Sequence, residues 1–472
     1  MSSQAPAIDF EALRSLVPRG IVLTPGSQEY EDSLQRWSQT CVKRAAVVVK
    51  PADAAEVSAA VQFATGHKLP FVVKCGGHAT SGVSACEDGM VVDLGLLRSV
   101  SVDRAAKTVT FGGGCLWSDV DTALWAHGMA TVGGTVADTG VGGLVLGGGF
   151  GMLTAQHGLC VDLLLECEVV TADGQVRIAR AEGANADLFW ALRGAGQNFG
   201  VVTRFTARAF DQGRVYSGTI VLPLDALDTL VDFSNTVIDR ADPRSTLVFC
   251  ATHLPPDYAA PGLLAIVFYN GTEAEGRAFF APLLALALVS TARVMDWPDV
   301  NMQLGQVPLA PNWRRLQGGA TFVPPLRAAA VREAVLDLFL PAVQAHAGMR
   351  ETSMILYEIL PNAKLRSVPH DATAFAARDD VYHISTIWQW DDPAHDAFVR
   401  QANRDVVRKL KEDGIQHGVT QYNNYDMSGP IPPESAFGVN LQRLREVKAK
   451  YDPDNVFFKW LSLYPKPAAD GV

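Results

Sequence analysis

The sequence predicts an α+β chain of two domains closed by a returning C-terminal segment. Three observations carry that prediction. Glycine concentrates between Gly76 and Gly200, among short strands and short helices. Near Arg208 the texture changes to longer strands alternating with longer helices. From Gln416 the chain returns to loop-like, aromatic-rich sequence. The expected division is therefore residues 1–210, 211–415 and 416–472. A chain of 472 residues has material for more than one core.

The elements follow in order. Ala54 to Thr65 spaces apolar residues at helical intervals just after Pro51 and Asp53. "PFVVKCGGH" reads as a short strand entering a glycine loop, and "MVVDL" as another strand. "SVSVDRAAKTVTFGGG" alternates on both sides of a polar turn and reads as a hairpin. "LWSDVDTALWAHG" is a helix closed by Gly128. "CEVVTADGQVRIAR" is a hairpin turning at Asp173-Gly174, and "ADLFWALRGAG" a short helix. In the second domain, six segments from "SGTIVLPL" to "VYHISTIWQW" read as strands, with four amphipathic helices between them. Several of these strands alternate, which predicts a sheet with one face on helices and one open. "ESAFGVNLQRLREVKAKY" reads as one closing helix, stopped by Pro453 and its Asx neighbours.

Composition narrows the function. Forty Lys and Arg against fifty Asp and Glu give a net charge of −10, which argues against nucleic-acid or anionic-membrane partners. The longest apolar run, Ala278 to Val289, is too short to span a bilayer. The first thirty residues show no charged start followed by an apolar run, so no signal peptide is expected and the expected setting is cytoplasmic. Seven scattered cysteines without a CxxC pair predict neither a disulfide framework nor a zinc module. No two histidines have metal-ligand spacing, and no G-x-S-x-G is present.

Glycine-rich loops after strands let backbone N–H groups approach phosphates. "KCGGHATSG" (Lys74 to Gly82) is such a loop, with Thr80 and Ser81 as extra donors. By itself it reads equally well as a tight structural turn; the second cluster, Val132 to Gly151, favours a ligand. The dinucleotide fingerprint G-x-G-x-x-G is absent: "GAGQNFG" has the wrong inner spacing, which disfavours a nicotinamide cofactor. His78 sits between Gly77 and Ala79, small neighbours that leave its imidazole open to a ligand. His127, His157 and His417 stand beside glycines at expected helix ends and read as structural. "TQYNNYDM" gathers Tyr422, Asn424 and Tyr425; taken alone it is a polar loop packed on a sheet.

Together these motifs, in this order along nearly the whole chain, resemble the berberine bridge enzyme-like branch of the vanillyl-alcohol oxidase superfamily. The resemblance implies a PCMH-type FAD-binding fold with an antiparallel-sheet substrate domain. It implies an FAD-linked oxidase acting on a small-molecule substrate, with O2 as acceptor and FAD bonded covalently to His78. The implied cofactor-binding residues are Lys74, Cys75, Gly76, Gly77, His78, Ala79, Thr80, Ser81, Gly82, Thr135, Asp138, Thr139, Gly142, Gly143, Gly147, Val202 and Asn424.

Three departures from the family pattern shape the expected chemistry. Val136 stands where many members carry a second, cysteine link, so one link is expected. Thr139 occupies the position associated with oxygen access, often Val, Ile or Leu. Registered on "ATAF", the family's glutamate base falls in "NAKLRSV", read as strand, at Ser367. Tyr422 or Tyr425 then becomes the expected base, its pKa lowered by Lys364 or Arg366. A dehydrogenase with another acceptor, an oxidative cyclase, and a non-catalytic flavin-binding protein remain as alternatives.

Overall fold

The computed structural model describes residues 8–303, 313–413, 422–425 and 431–464. The expected boundary at 415 and 416 lies outside the described residues, as does His417.

The N-terminal region builds two sheets. The first has the order Ile21–Leu23, Val47–Lys50, Met90–Asp93, Phe71–Lys74, with the last three strands parallel. The helix Ala54–Gly66 covers it. Asp53 caps that helix by accepting from the Glu56 N–H at 2.9 Å, and Val57, Ala60, Val61 and Ala64 pack against Val47, Val49, Met90 and Val92. The second sheet is antiparallel, in the order Val100–Asp103, Thr108–Gly112, Val201–Arg208, Leu164–Val170, Val176–Arg180. Its last hairpin turns at Gly174, whose φ of +76° suits glycine.

A single large antiparallel sheet follows. Its order is Val289–Ser290, Val215–Leu222, Pro261–Tyr269, Ser245–His253, Met354–Ile359, Tyr382–Trp390, Arg314–Phe322, with Arg293–Met295 also paired to Val215–Leu222. The two faces differ in what they meet. Leu247, Phe249, Ile355, Tyr357, Ile384 and Trp388 pack against helices, among them Leu227–Arg240 and Asp396–Asp413. The alternate residues Val248, Cys250, Ile266, Phe268 and Leu356 join the core of the glycine-rich region. The second face is thus covered rather than open, because its side chains are themselves apolar.

Two sequence expectations change. "NAKLRSV" is not a strand: Met354–Ile359 ends before Pro361, and Ala363–Arg366 forms a short helix. Asn362 fixes that turn by donating to Asp380 Oδ1 and the Val381 carbonyl. Ser367 follows the helix, exposed, its hydroxyl donating to the Lys364 carbonyl. The closing helix is also divided. Pro433–Phe437 ends at Gly438, φ +47°, before Leu441–Tyr451 begins.

Leu441–Tyr451 is anchored by a fully buried ion pair. Lys448 Nζ donates to Asp452 Oδ2 at 2.6 Å and to the carbonyls of Asn198 and Phe457. Asp452 also accepts from the N–H groups of Val456 and Phe457. Removing one partner strands the other charge out of water. Lys448→Met is therefore expected to cost about 3–5 kcal/mol. Urea unfolding measures it, and a loss below about 1 kcal/mol would mean that Asp452 finds another partner.

Candidate active site

A cavity of about 380 Å³ lies between the glycine loops and the inner face of the large sheet. Its first wall is the two loops after Lys74 and Val132. They meet at Gly76 and Gly140: a Cβ on Gly76 would stand 2.4 Å from the Gly140 nitrogen, and one on Gly140 would stand 2.2 Å from the Gly76 nitrogen. Only two glycines permit that backbone contact. Gly77 has φ +71°, and its Cβ direction points at Arg36 Cδ, 2.9 Å away. Gly142 faces the Gly113 carbonyl. The added Cβ of Gly76, Gly77 or Gly142 would thus meet protein atoms, while all three residues border the cavity. Gly143 differs: among the described residues nothing lies within 4 Å of its Cβ position, and it borders the cavity.

Cys75, Gly76, Gly77, His78, Ala79, Thr135, Asp138, Thr139, Gly142, Gly143, Val202, Tyr422, Asn424 and Tyr425 all line this cavity. Lys74, Thr80, Ser81, Gly82 and Gly147 do not. Lys74 pairs with Asp93 at 2.9 Å. The Thr80 hydroxyl accepts from the Gln317 N–H at 3.0 Å. Gly147 makes room for Asn424, whose Oδ1 would lie 2.2 Å from an added Cβ.

His78 is held by three neighbours. Its ring stacks on Trp37 with centroids 5.5 Å apart and planes 9° apart. Nε2 lies 3.5 Å from Asp138 Oδ1, and Nδ1 lies 3.5 Å from the Thr139 hydroxyl. Burial lowers its pKa, against the opposing pull of Asp138. The imidazole is therefore neutral at neutral pH, with a nitrogen lone pair available.

The tyrosines do not have the environment expected of a base. Burial raises the pKa of both Tyr422 and Tyr425, and no cation counters it. Arg366 pairs with Asp380, and Lys364 is exposed on the helix after Pro361. The Tyr422 oxygen accepts from the Gly149 N–H at 3.2 Å and from Asn424 Nδ2 at 3.0 Å, which ties the tail to the glycine cluster. Tyr425 donates to Glu358 Oε1 at 3.0 Å.

Glu358 is the residue that sequence reading missed. It sits on Met354–Ile359, on the face shared with Met354 and Leu356, and borders the cavity. Burial pushes its carboxyl up to about 8 from an ordinary 4.5, although the Tyr425 hydrogen bond opposes the rise. Its Oε2 is buried without a partner among the described residues. The sequence carried one signal: a lone carboxylate in the alternating strand "TSMILYEIL", where burial is costly without purpose. Beside it, His383 stacks on Phe150 at 5.1 Å and is pushed down to about 4 by burial, so it is neutral.

The walls fit a large polar heterocycle such as FAD. Ser84 Oγ, Gln197 Oε1 and Thr352 Oγ1, like Glu358 Oε2, belong to cavity-lining residues and are buried without partners among the described residues, and Gly143 leaves an open cradle. Among the described residues no group of three or more His, Cys, Asp or Glu can hold a metal ion, and no helix is long and apolar enough to cross a membrane. All seven cysteines are free.

Comparison with known proteins agrees with this geometry. A family model for an FAD binding domain matches residues 45–180, and one described as berberine and berberine like matches residues 422–462. FAD-linked oxidoreductase pgmH of Aspergillus terreus is 35% identical over 97% of this chain and 96% of its own. Among solved structures, Physcomitrella patens BBE-like 1 superposes with a TM-score of 0.81 at 24% identity, covering 96% of this chain and 99% of that one. The 6-hydroxy-D-nicotine oxidase of Arthrobacter nicotinovorans gives 0.80 at 23% identity, over 95% and 98%. This chain belongs to the berberine-like FAD-linked oxidoreductases.

Proposed function

We propose that this oxidoreductase oxidises a small alcohol or amine, carries FAD on His78, and uses O2 as acceptor, with Glu358 taking the substrate proton. The observation that carries the reading is Glu358 itself: a buried carboxyl facing the cavity, one oxygen without a partner among the described residues, its pKa raised to about 8. A base poised near the working pH accepts a proton efficiently.

FAD supplies, when bound, the two-electron acceptor for the substrate's hydride. The chain supplies the rest. The loop backbones, Gly143, Ser84 and Gln197 would hold the cofactor. Trp37, Asp138 and Thr139 fix the neutral His78 ring for bonding. Val136 offers no thiol for a second link. Glu358 Oε2 orients the substrate O–H or N–H and takes its proton. Tyr425 keeps Oε1 turned aside by donating to it. Phe150 and the neutral His383 exclude water and add no competing charge.

The single-link reading predicts a yellow protein whose flavin survives acid precipitation. His78→Ala is expected to release it on denaturation; extractable flavin in the unmutated protein, or a mass showing two links, would overturn it. Anaerobic bleaching by substrate followed by recovery in air tests the acceptor.

The base assignment has its own signature. Only ionised Glu358 accepts a proton, so flavin reduction should rise with pH through about 8. Glu358→Gln is expected to slow it by roughly 10²–10⁴-fold and flatten that profile. Tyr425→Phe removes a bond that favours the ionised form, so the midpoint should move up. Tyr422→Phe should lower stability with the midpoint unchanged. Anaerobic stopped-flow measures all three, and an unchanged profile in Glu358→Gln would place the base elsewhere.

Stability gives an independent check. Between about 4.5 and 8 the unfolded chain releases the Glu358 proton that the folded chain keeps. This contribution is fully present below 4.5 and is lost as pH rises through 8. Glu358→Gln should lack that slope and be the more stable protein at pH 8. Thermal midpoints across this range decide it.

A further inference from the structure

The sheet face of the cavity carries a cation with no carboxylate partner. Arg315, on Arg314–Phe322, is 2% exposed and borders the cavity. Its Nε donates to Gln389 Oε1 at 2.8 Å, and its Nη1 donates to the Trp37 carbonyl. Both acceptors are neutral. The guanidinium also lies 5.0 Å from the centroid of the Trp37 ring. These contacts fix its orientation without neutralising it. Among the described residues no carboxylate lies within 4.0 Å of it; Asp138 acts on it from farther off, and Asp138 Oδ1 lies instead 3.5 Å from His78 Nε2. Nη2 has no hydrogen-bond partner among the described residues.

A buried cation held only by neutral groups is costly. Burial lowers its pKa to about 10, so it is still charged at neutral pH. A guanidinium fixed on one edge and free at Nη2 is suited to an anionic oxygen.

Its place along the sheet separates it from the reacting end. Arg315 pairs with Gln389, and Glu358 pairs with His383, six positions away on the same strand. That is a distance of roughly 20 Å along the sheet. The floor between them is mixed. Gln317, Ile387 and Met354 lie level with one another next to Arg315, and Ser385 and Leu356 lie level next to Glu358, with Gln317 bonded to Ser385 at 3.1 Å.

We propose that Arg315 is a specificity-determining residue that binds an anionic oxygen of the substrate, a carboxylate or an ionised phenol, at the end of the cavity far from Glu358. This rests on the reading of Glu358 as the reacting end. The preferred substrate is then an organic anion whose charged group and oxidisable group stand well apart, joined by a body that meets both apolar and polar side chains. The cofactor's diphosphate is the other source of anionic oxygen. Arg315 stands on the sheet wall at its seam with the glycine loop, where Trp37 stacks on His78 and donates its N–H to the Gly77 carbonyl at 3.1 Å, so the experiment has to separate the two sources.

Calorimetric titration of the flavin-loaded full chain with benzoate and with benzamide tests this. The unmutated protein is expected to prefer benzoate by roughly 10- to 100-fold. Arg315→Gln should erase the preference with FAD content unchanged, and Arg315→Lys should restore part of it. Equal affinities in the unmutated protein would overturn the proposal. So would a preference that survives Arg315→Gln. Loss of FAD from Arg315→Gln would assign the guanidinium to the diphosphate and overturn it as well. A protein that prefers benzoate through Arg315 but bears no flavin would sink the oxidase reading alone. A flavin-loaded, Glu358-dependent enzyme indifferent to Arg315→Gln would sink this proposal alone.

Discussion

The backbone contact between Gly76 and Gly140 is the constraint on which the site depends. Two loops from distant parts of the N-terminal region touch where neither tolerates a Cβ. That contact brings His78, two residues beyond Gly76, beside Asp138 and Thr139, just before Gly140. A methyl group at either glycine would force the loops apart, since it would stand only 2.2–2.4 Å from the other's backbone nitrogen and real Cβ contacts do not approach so closely. The wall of the cavity and the setting of His78 would fail together. The glycines here act mainly as a means of bringing protein against protein, and a ligand benefits from the surface that results.

The second constraint is the two-faced sheet. Successive strand residues point to opposite faces. One face of Met354–Ile359 must satisfy a helix-covered core through Ile355, Tyr357 and Ile359. The other is free to carry Met354, Leu356 and Glu358 into the cavity. The helices that bury Tyr357 thereby hold Glu358 in place. The same alternation on Tyr382–Trp390 sends Ser385, Ile387 and Gln389 to the cavity while Ile384 and Trp388 pack behind.

These two constraints differ in how well a sequence displays them. The glycine clusters were legible because the requirement is local: a loop that tolerates no Cβ must spell itself in glycine. The hairpin at Asp173-Gly174 and the helix after Asp53 were legible for the same reason. Which surface each glycine faces was not, since Gly77 meets Arg36 and Gly147 meets Asn424, contacts made across the fold. Glu358 was hidden because its meaning depends on register with Val248 and His383, far along the chain. Counting back from "ATAF" failed because the chain leaves the sheet at Pro361 and makes a helical excursion before returning. The count treated that excursion as strand and landed on Ser367.

The cavity is electrostatically divided, and the division follows from what each strand can bury. A carboxyl without a cation is kept protonated near neutral pH, so its burial costs little until it must act. A guanidinium has no such escape, because it stays charged at neutral pH. Arg315 is therefore braced by Gln389 and the Trp37 carbonyl and ring, while Glu358 needs only Tyr425. Placing the two far apart on one sheet also matters. Within ion-pair distance, Arg315 would hold Glu358 ionised, draw its pKa down, and weaken it as a proton acceptor. Separation along the strands by the two residue levels between them lets one end of the cavity hold a permanent charge while the other keeps a carboxyl poised to change its own.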